Sequence, residues 1–242
     1  MRLKKTCTHP GNWNKKMKTY QYEKKLYPFF KFKFNDLDLI TNNYAHLNQD
    51  MFVLSILNGK HNGTYLEIGG NYPINFNNTY LLETVFNWTG ASIEILNICV
   101  NEYNRVRKNK AYCVDALKVD YKKFLKEIHL PNIIDYLSMD IDPPRHTFKA
   151  FKKLSNEDTR FRVITFEHDS YTGKEGLRVR LESRNLFKKL GYDLIINDVC
   201  YDQSSVEDWY IDPKLVDMNN VEKIRCITDN GKYHPEYFYS NL

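Results

Sequence analysis

Residues 64–70 read TYLEIGG, and this stretch decides the fold. A short apolar run ends in the acidic Glu67 and two adjacent glycines, and residues 77–79 (NNT) can cap a helix that begins at Tyr80. Adjacent glycines let backbone N–H groups approach a ligand closely. The stretch therefore predicts a strand, a tight turn and a helix N-terminus, which together start a strand–helix–strand unit.

Strand and helix patterns alternate along the rest of the chain. The predicted strands are 64–68, 91–95, 111–116, 133–140, 161–167, 192–198 and 223–227. Helical apolar spacing separates them, whereas residues 201–212 and 219–242 have the least regular pattern. Strands that alternate with helices predict an α/β fold with a mostly parallel central sheet and helices on both faces.

Four predicted strands carry an acid where they end, namely Glu67, Glu94, Asp115 and Asp140. Ligands of an open parallel sheet bind at the carboxyl ends of the strands. The order of the acids predicts an adenosine site, with Glu94 on the ribose hydroxyls and Asp115 at the adenine amino group. One such carboxylate is more often a helix cap or a loop residue, so the signal lies in the register of all four.

The turn after the first strand lacks the features of a dinucleotide site. Pro73 stands where the glycine spacing of a dinucleotide fingerprint would continue, and residues 76–78 (FNN) replace a phosphate cradle. These departures favour a smaller ligand without phosphate, S-adenosylmethionine.

A second group of polar residues follows the fourth and fifth predicted strands, in the sequences DIDPP (140–144) and EHD (167–169). Methyl transfer to a hydroxyl requires removal of the acceptor proton. We predict that His168 removes it, with Asp140 or Glu167 orienting the ring. The same residues could instead hold a divalent metal, but their spacing fixes no coordination geometry, so no metal ligand is assigned. Alternatively, His168 is a buried histidine with a purely structural role, and the neighbouring acids cap turns.

Two aromatic residues, Trp209 and Tyr210, stand in the acidic stretch 206–212. They could form a flat apolar wall over a sugar ring or a nucleobase. Alternatively, Trp209 anchors a loop on the core, and the sequence leaves both interpretations open.

The first 34 residues form a basic arm with interleaved aromatic residues, and we separate them from a domain at 35–242. The arm carries a charge of +9, which leaves −4 for the rest of a chain whose total is +5. Basic and aromatic residues together suit nucleic acid. We favour a solvated arm whose aromatic residues pack on the core, because the remaining domain is acidic.

Composition and cysteine pattern limit the classes of protein. No apolar run is long enough for a membrane span, and no apolar segment follows the charged N-terminus, so we expect no secretory signal peptide. The five cysteines are scattered without a C-x-x-C pair, which argues against a thiolate zinc site and suits free thiols in the cytoplasm. Richness in Asn, Lys, Tyr and Ile is typical of an AT-rich genome, viral genomes included.

Several stretches resemble one known family. Residues 66–71 (LEIGGN), 76–83 (FNNTYLLE) and 88–94 (WTGASIE) strongly resemble the FkbM-like class I methyltransferases. Residues 134–142 (IDYLSMDID) and the Gly-Tyr pair at 191–192 fit the same family, and the resemblance covers residues 48–199.

The resemblance implies a Rossmann-like methyltransferase sandwich that uses S-adenosylmethionine for O-methyl transfer, often to sugars or glycosylated products. It assigns Glu67, Gly69, Gly70 and Asn71 to the methionine end, Glu94 to ribose, Asp115 to adenine, and Asp140 to the sulfonium. Ile95 and Ala116, which follow Glu94 and Asp115, are also predicted to bind the cofactor. A saccharide acceptor is thus expected. The alternatives are a nucleic-acid methyltransferase that uses the basic arm, and a non-catalytic binding module of the same fold.

Overall fold

A computed structural model of the protein describes residues 30–201, 203–225 and 238. The strands are β1 Thr64–Ile68, β2 Thr89–Glu94, β3 Lys110–Cys113, β4 Ile133–Met139, β5 Arg160–Glu167, β6 Asp193–Tyr201 and β7 Ser204–Ile211. The helices are α1 Gln49–Ile56, α2 Tyr80–Thr84, α3 Asn97–Val106, α4 Tyr121–Glu127, α5 Pro144–Leu154, α6 Lys174–Lys189 and α7 Met218–Arg225. No helix in these described ranges is both long and apolar enough to cross a membrane.

The seven strands form one sheet in the order β3-β2-β1-β4-β5-β7-β6. Strands β1 to β5 pair in parallel, and β7 runs antiparallel between β5 and β6. Because β6 is antiparallel to β7, it runs in the same direction as β1 to β5. The carboxyl ends of six strands therefore meet at one edge of the sheet, which we call the carboxyl edge.

Two apolar cores cover the two faces of the sheet. Successive residues of a strand point to opposite faces, and β4 shows this with Tyr136 in one core and Leu137 in the other. Helix α1 packs in the first core, and α5 packs in the second. The central strand β4 is buried from its second residue onward, as expected for a parallel strand covered on both faces. The predicted Rossmann-like α/β architecture is confirmed.

The prediction for the seventh strand is wrong. Residues 218–225 form helix α7, and the strand is Ser204–Ile211, inside the segment predicted to be irregular; residues 226 and 227 lie outside the described residues. The sequence pattern does not indicate this strand because it contains Glu207 and Asp208, and acidic residues usually indicate loops. Both are buried here, and their carboxylates accept hydrogen bonds from Gln49 and Arg184.

The described end of the N-terminal arm belongs to the core. Phe30, Phe32 and Phe34 are buried, and the ring of Phe30 stacks on that of Phe238 at a centroid distance of 5.5 Å. The backbone N–H of Lys31 donates to the carbonyl of Phe238 over 2.8 Å. The proposed domain boundary after residue 34 therefore falls inside packed core, whereas residues 1–29 of the arm lie outside the described residues.

Candidate site at the carboxyl edge

The glycine turn after β1 is closely fitted between the ends of β2 and β4. Gly69 has φ +95°, and a Cβ at this position would lie 1.7 Å from the carbonyl oxygen of Asp140. A Cβ on Gly70 would lie 2.0 Å from the hydroxyl oxygen of Ser92. Only glycine fits position 69, and a Cβ at position 70 would require the hydroxyl of Ser92 to move. The turn therefore brings the backbone of residues 69–71 to the carboxyl edge without side chains in the way.

Glu94 ties this turn to the end of β2. Its half-buried carboxylate accepts one hydrogen bond from the N–H of Asn71 over 3.0 Å and one from the N–H of Leu96 over 2.8 Å. Each carboxylate oxygen retains further acceptor capacity. Glu94, the residue predicted to bind ribose, is therefore held in a fixed position beside the turn that is predicted to bind the methionine end of the cofactor.

Apolar side chains surround the predicted adenine region without being buried. Ile95 is 64% exposed, Ile98 is 68% exposed and Val114 is 38% exposed, and all three follow the ends of the paired strands β2 and β3. Asp115 accepts a hydrogen bond from the N–H of Leu117. Ala116, next to Asp115, is buried. The residues predicted for ribose and adenine thus lie on neighbouring strand ends, and uncovered apolar side chains flank them.

Glu67 lies under the turn rather than in the open site. It is 2% exposed, and its carboxylate accepts hydrogen bonds from the amide of Asn77 and the hydroxyl of Thr79, each over 3.1 Å. Burial raises the pKa of Glu67 to about 7, although the charge of Arg107 opposes the shift. Glu67 therefore holds the loop of residues 71–79 in place.

Arg107 also holds this loop in place, and the sequence pattern did not identify it. It follows α3 and is 5% exposed. Its guanidinium contacts the carbonyl of Pro73, the side chains of Asn77 and Thr79, the hydroxyl of Tyr65 and the carboxylate of Glu83. A lone arginine at a helix end carries no signal in the sequence, because its partners are 24–42 residues away.

Three acidic residues stand where β4 and β5 end. Asp140 is exposed, Glu167 is half-buried, and Asp169 is 4% exposed. Asp140 and Glu167 each follow the last residue pair between β4 and β5, so they occupy neighbouring positions at the carboxyl edge. We call Asp140, Glu167 and Asp169 the carboxyl cluster.

Like charges in this region disfavour ionisation. Burial, and then the charge of Asp140, raise the pKa of Glu167 well above its usual range and that of Asp169 to about 7. Glu207 of β7 stands opposite Glu167 in the sheet register. Burial raises the pKa of Glu207 to about 8. The carboxyl edge at β4, β5 and β7 is therefore strongly acidic.

The prediction that His168 faces Asp140 is wrong, because successive residues of a strand alternate between the two faces of the sheet. His168 is fully buried, and its Nδ1 accepts a hydrogen bond from the N–H of Ser170 over 3.2 Å. Its Nε2 lies 3.5 Å from the carboxylate of Asp208 and 3.9 Å from that of Asp198. The ring points away from the carboxyl cluster and cannot reach an acceptor there.

The three residues His168, Asp198 and Asp208 have donor atoms close enough together for a metal ion. Their carboxylates already have cationic partners, however. Arg184 donates to both oxygens of Asp208, each over 2.7 Å, and Arg180 donates to Asp198 over 2.7 Å. We call His168, Asp198, Asp208 and the two arginines the arginine-paired cluster. Its two arginines balance the charges of its two aspartates without an ion.

Trp209 and Tyr210 do not form a wall over a substrate. They are 0% and 1% exposed and pack in opposite cores, because they are neighbours in β7. Other aromatic residues stand at the carboxyl edge instead. The half-buried ring of His46 lies 5.3 Å from that of Phe76 and 4.5 Å from that of Tyr201. These three residues come from separate segments, so no local sequence pattern indicated them.

Comparison with known proteins adds little to these observations. The chain matches no protein-family model and no curated protein. Among solved structures it is similar to the METTL16 MTase domain, with 15% identity over 75% of this chain and 73% of that chain and a TM-score of 0.47. It is also similar to the N-methyltransferase NodS from Bradyrhizobium japonicum WM9, with 10% identity over 69% of this chain and 86% of that chain and a TM-score of 0.44.

Since these identities and TM-scores are low, the class of fold rests on the sheet itself. The strand order, the single antiparallel strand β7 and the glycine turn at the end of β1 are those of the Rossmann-like class I methyltransferase sandwich predicted from the sequence.

Proposed function

We propose that the protein is a methyltransferase that uses S-adenosylmethionine. The observation that carries the proposal is the juxtaposition of the glycine turn, the carboxylate of Glu94 and the uncovered side chains of Ile95 and Ile98 at adjacent strand ends. Backbone N–H groups, a carboxylate and an apolar surface are what an amino acid, a ribose diol and a purine require in that order.

The cofactor would lie across the carboxyl ends of β1, β2 and β3. Gly69, Gly70 and Asn71 would bind the methionine end, and Glu94 would accept hydrogen bonds from the ribose hydroxyls. The adenine would lie between Ile95 and the segment that contains Asp115 and Ala116. The sulfonium would then approach Asp140, whose negative charge favours a cation.

The acceptor would be a hydroxyl group of a saccharide. His46, Phe76 and Tyr201 support this assignment, because aromatic faces suit sugar rings and these three stand at the same edge of the sheet. S-adenosylmethionine would supply an electrophilic methyl group to the acceptor oxygen, with the thioether as the leaving group. The acceptor proton would pass to the carboxylate of Asp140, which takes over the role predicted for His168, because the raised pKa of Glu167 favours the protonated form of that group.

The cofactor site is tested by calorimetry with S-adenosylmethionine and S-adenosylhomocysteine. Glu94→Ala removes charge-assisted hydrogen bonds to ribose and should cost about 1.5–3 kcal/mol of binding free energy. Glu102→Ala on the exposed side of α3 is the matched control and should bind as the unmodified protein does. Equal affinities for the two variants would contradict the ribose assignment.

The acceptor is tested by mass spectrometry of a glycan panel incubated with the protein and S-adenosylmethionine. Methylated saccharides are the expected result. Methylated nucleic acid, with binding that weakens steeply as salt rises, would instead support the role of the basic arm in a nucleic-acid methyltransferase. Tight cofactor binding without any methylated product would support a non-catalytic binding module.

A further inference from the structure

We propose that Arg107 is a positioning residue for the cofactor-binding turn and that it acts through the side chain of Asn77. The inference rests on the proposed function, which assigns this turn to the methionine end of S-adenosylmethionine. The side chain of Arg107 is fully buried, so it acts on the cofactor only through other residues. Two hydrogen bonds connect its guanidinium to the backbone of Gly70.

Both hydrogen bonds use the side-chain amide of Asn77. Nη1 of Arg107 donates to Oδ1 of Asn77 over 2.9 Å. Nδ2 of the same amide donates to the carbonyl oxygen of Gly70 over 3.2 Å. Because an amide accepts through its oxygen and donates through its nitrogen, a guanidinium at the oxygen fixes which end faces Gly70. Arg107 therefore orients Asn77, and Asn77 holds the turn.

The peptide group between Gly70 and Asn71 is the part of the turn that Asn77 holds. Its carbonyl accepts from Asn77, and its N–H donates to the carboxylate of Glu94 over 3.0 Å. Because a peptide group is planar, a carbonyl that turns away from Asn77 also turns the N–H away from Glu94. Asn77 therefore fixes the turn against the residue assigned to ribose.

Further contacts hold the guanidinium of Arg107 in place. It donates to the carbonyl of Pro73 over 2.8 Å and to the hydroxyl of Thr79 over 3.1 Å, so it contacts the loop of residues 71–79 near both ends. Its charge is balanced by the carboxylate of Glu83 at 2.9 Å. A lysine keeps the charge but has one ammonium group, which cannot reproduce the planar fork of donors.

Arg184 provides the matched comparison. It also forms a bidentate pair with a buried carboxylate, that of Asp208, and it forms an ion pair with Asp198. These partners lie in the arginine-paired cluster and not in the loop of residues 71–79. Loss of either arginine should destabilise the fold, whereas only loss of Arg107 should disturb the cofactor-binding turn.

The first test measures binding of S-adenosylhomocysteine to the full-length protein by calorimetry. Arg107→Lys and Asn77→Ala should each weaken binding about 10-fold or more, because the turn is no longer held in its binding conformation. Arg184→Lys is the matched control and should keep the affinity within about 2-fold, since distant sites act independently. Circular dichroism and urea denaturation establish that each variant is folded and how stable it is.

The second test needs no cofactor. Hydrogen exchange of the cofactor-free protein reports local opening of the chain. The amides of residues 71–79 should exchange about 10-fold faster or more in Arg107→Lys and Asn77→Ala than in the unmodified protein, because these variants release the loop. In Arg184→Lys the same amides should keep their exchange rates, whereas those of β7 should exchange faster.

Three results would overturn the inference. The first is an unchanged affinity for S-adenosylhomocysteine in folded Asn77→Ala. The second is an equal loss of affinity in Arg107→Lys and Arg184→Lys, which would make general stability the cause. The third is unchanged exchange of residues 71–79 in both loop variants.

The unmodified protein separates this inference from the proposed function. If it binds neither S-adenosylmethionine nor S-adenosylhomocysteine, the proposed function is overturned. If it binds them and the Arg107 and Asn77 variants bind equally well, the positioning role alone is overturned.

Discussion

Two acidic groups lie at the end of β5 and in β7, on opposite faces of the sheet, and they differ in whether an arginine pairs with them. Glu167 and Glu207 lie on one face of the sheet, and no cation among the described residues forms an ion pair with either. His168 and Asp208 lie on the other face, where Arg184 pairs with Asp208. Burial favours the neutral form of every carboxyl group, but hydrogen bonds from Arg184 outweigh it and hold the pKa of Asp208 below its usual range. On the other side, burial leaves the pKa of Glu207 at about 8. Burial therefore raises the pKa of a carboxyl group where no cation compensates it, and a bidentate arginine reverses that shift.

The largest expected effect is on the rate of methyl transfer, which should depend far more on the carboxyl cluster than on the arginine-paired cluster. Asp140→Asn should lower the rate of methyl transfer about 10²–10⁴-fold, since a group that assists loss of the acceptor proton contributes on that scale. His168→Gln retains a donor and an acceptor in the arginine-paired cluster and should change the rate by less than about 3-fold, because its ring does not reach the acceptor side. Single-turnover rates at saturating cofactor measure both. A greater loss in His168→Gln than in Asp140→Asn, with cofactor affinity intact, would reverse the assignment.

The next effect concerns stability. Arg184→Met leaves the buried carboxylate of Asp208 without its bidentate partner and should lower the free energy of unfolding by about 3–5 kcal/mol. Urea denaturation measures the difference. Arg178→Met, on the same helix but in an exposed pair with Glu182, should cost at most about 1 kcal/mol. Similar losses in the two variants would mean that the arginine-paired cluster is not what stabilises this face.

A smaller effect appears in the pH dependence of stability. The pKa of Glu207 is about 8 in the folded protein and near 4.5 in the unfolded chain. The folded state therefore binds the extra proton between these values, and stability falls as pH rises through this window. Glu207→Gln removes this dependence, and its side-chain oxygen can still accept a hydrogen bond from Gln49. The free energy of unfolding of this variant, relative to that of the unmodified protein, should therefore rise by roughly 2–4 kcal/mol from pH 5 to pH 9. Parallel stability curves for the two proteins would contradict the shift.

The fold could be predicted because its signals are local. The glycine turn at residues 69–70 and the apolar runs of β1 and β4 depend on neighbours in sequence, and both lie where predicted. Strand β7 escaped prediction because its buried acids are satisfied by Gln49 and Arg184, which come from other segments. The positions of Glu94 and Asp115 at adjacent strand ends also follow from the strand pattern.

The acceptor side could be predicted only in part, because it depends on which way each side chain points. Glu167 and His168 are consecutive, and a shift of one position along β5 exchanges the two faces of the sheet. A sequence shows that both residues follow an apolar run, but it does not show which one turns toward Asp140. Arg107 and His46 were missed for a related reason, since their contacts join segments that are distant along the chain.

The stacked rings of Phe30 and Phe238 hold in contact two segments that are far apart along the chain. Segments that lie together in space can be joined by a linker while the chain is opened elsewhere. A circularly permuted chain could therefore begin in the exposed turn after α5 and carry a linker that replaces residues 1–29. Such a protein would present the same carboxyl edge with the basic arm removed and its aromatic anchor retained.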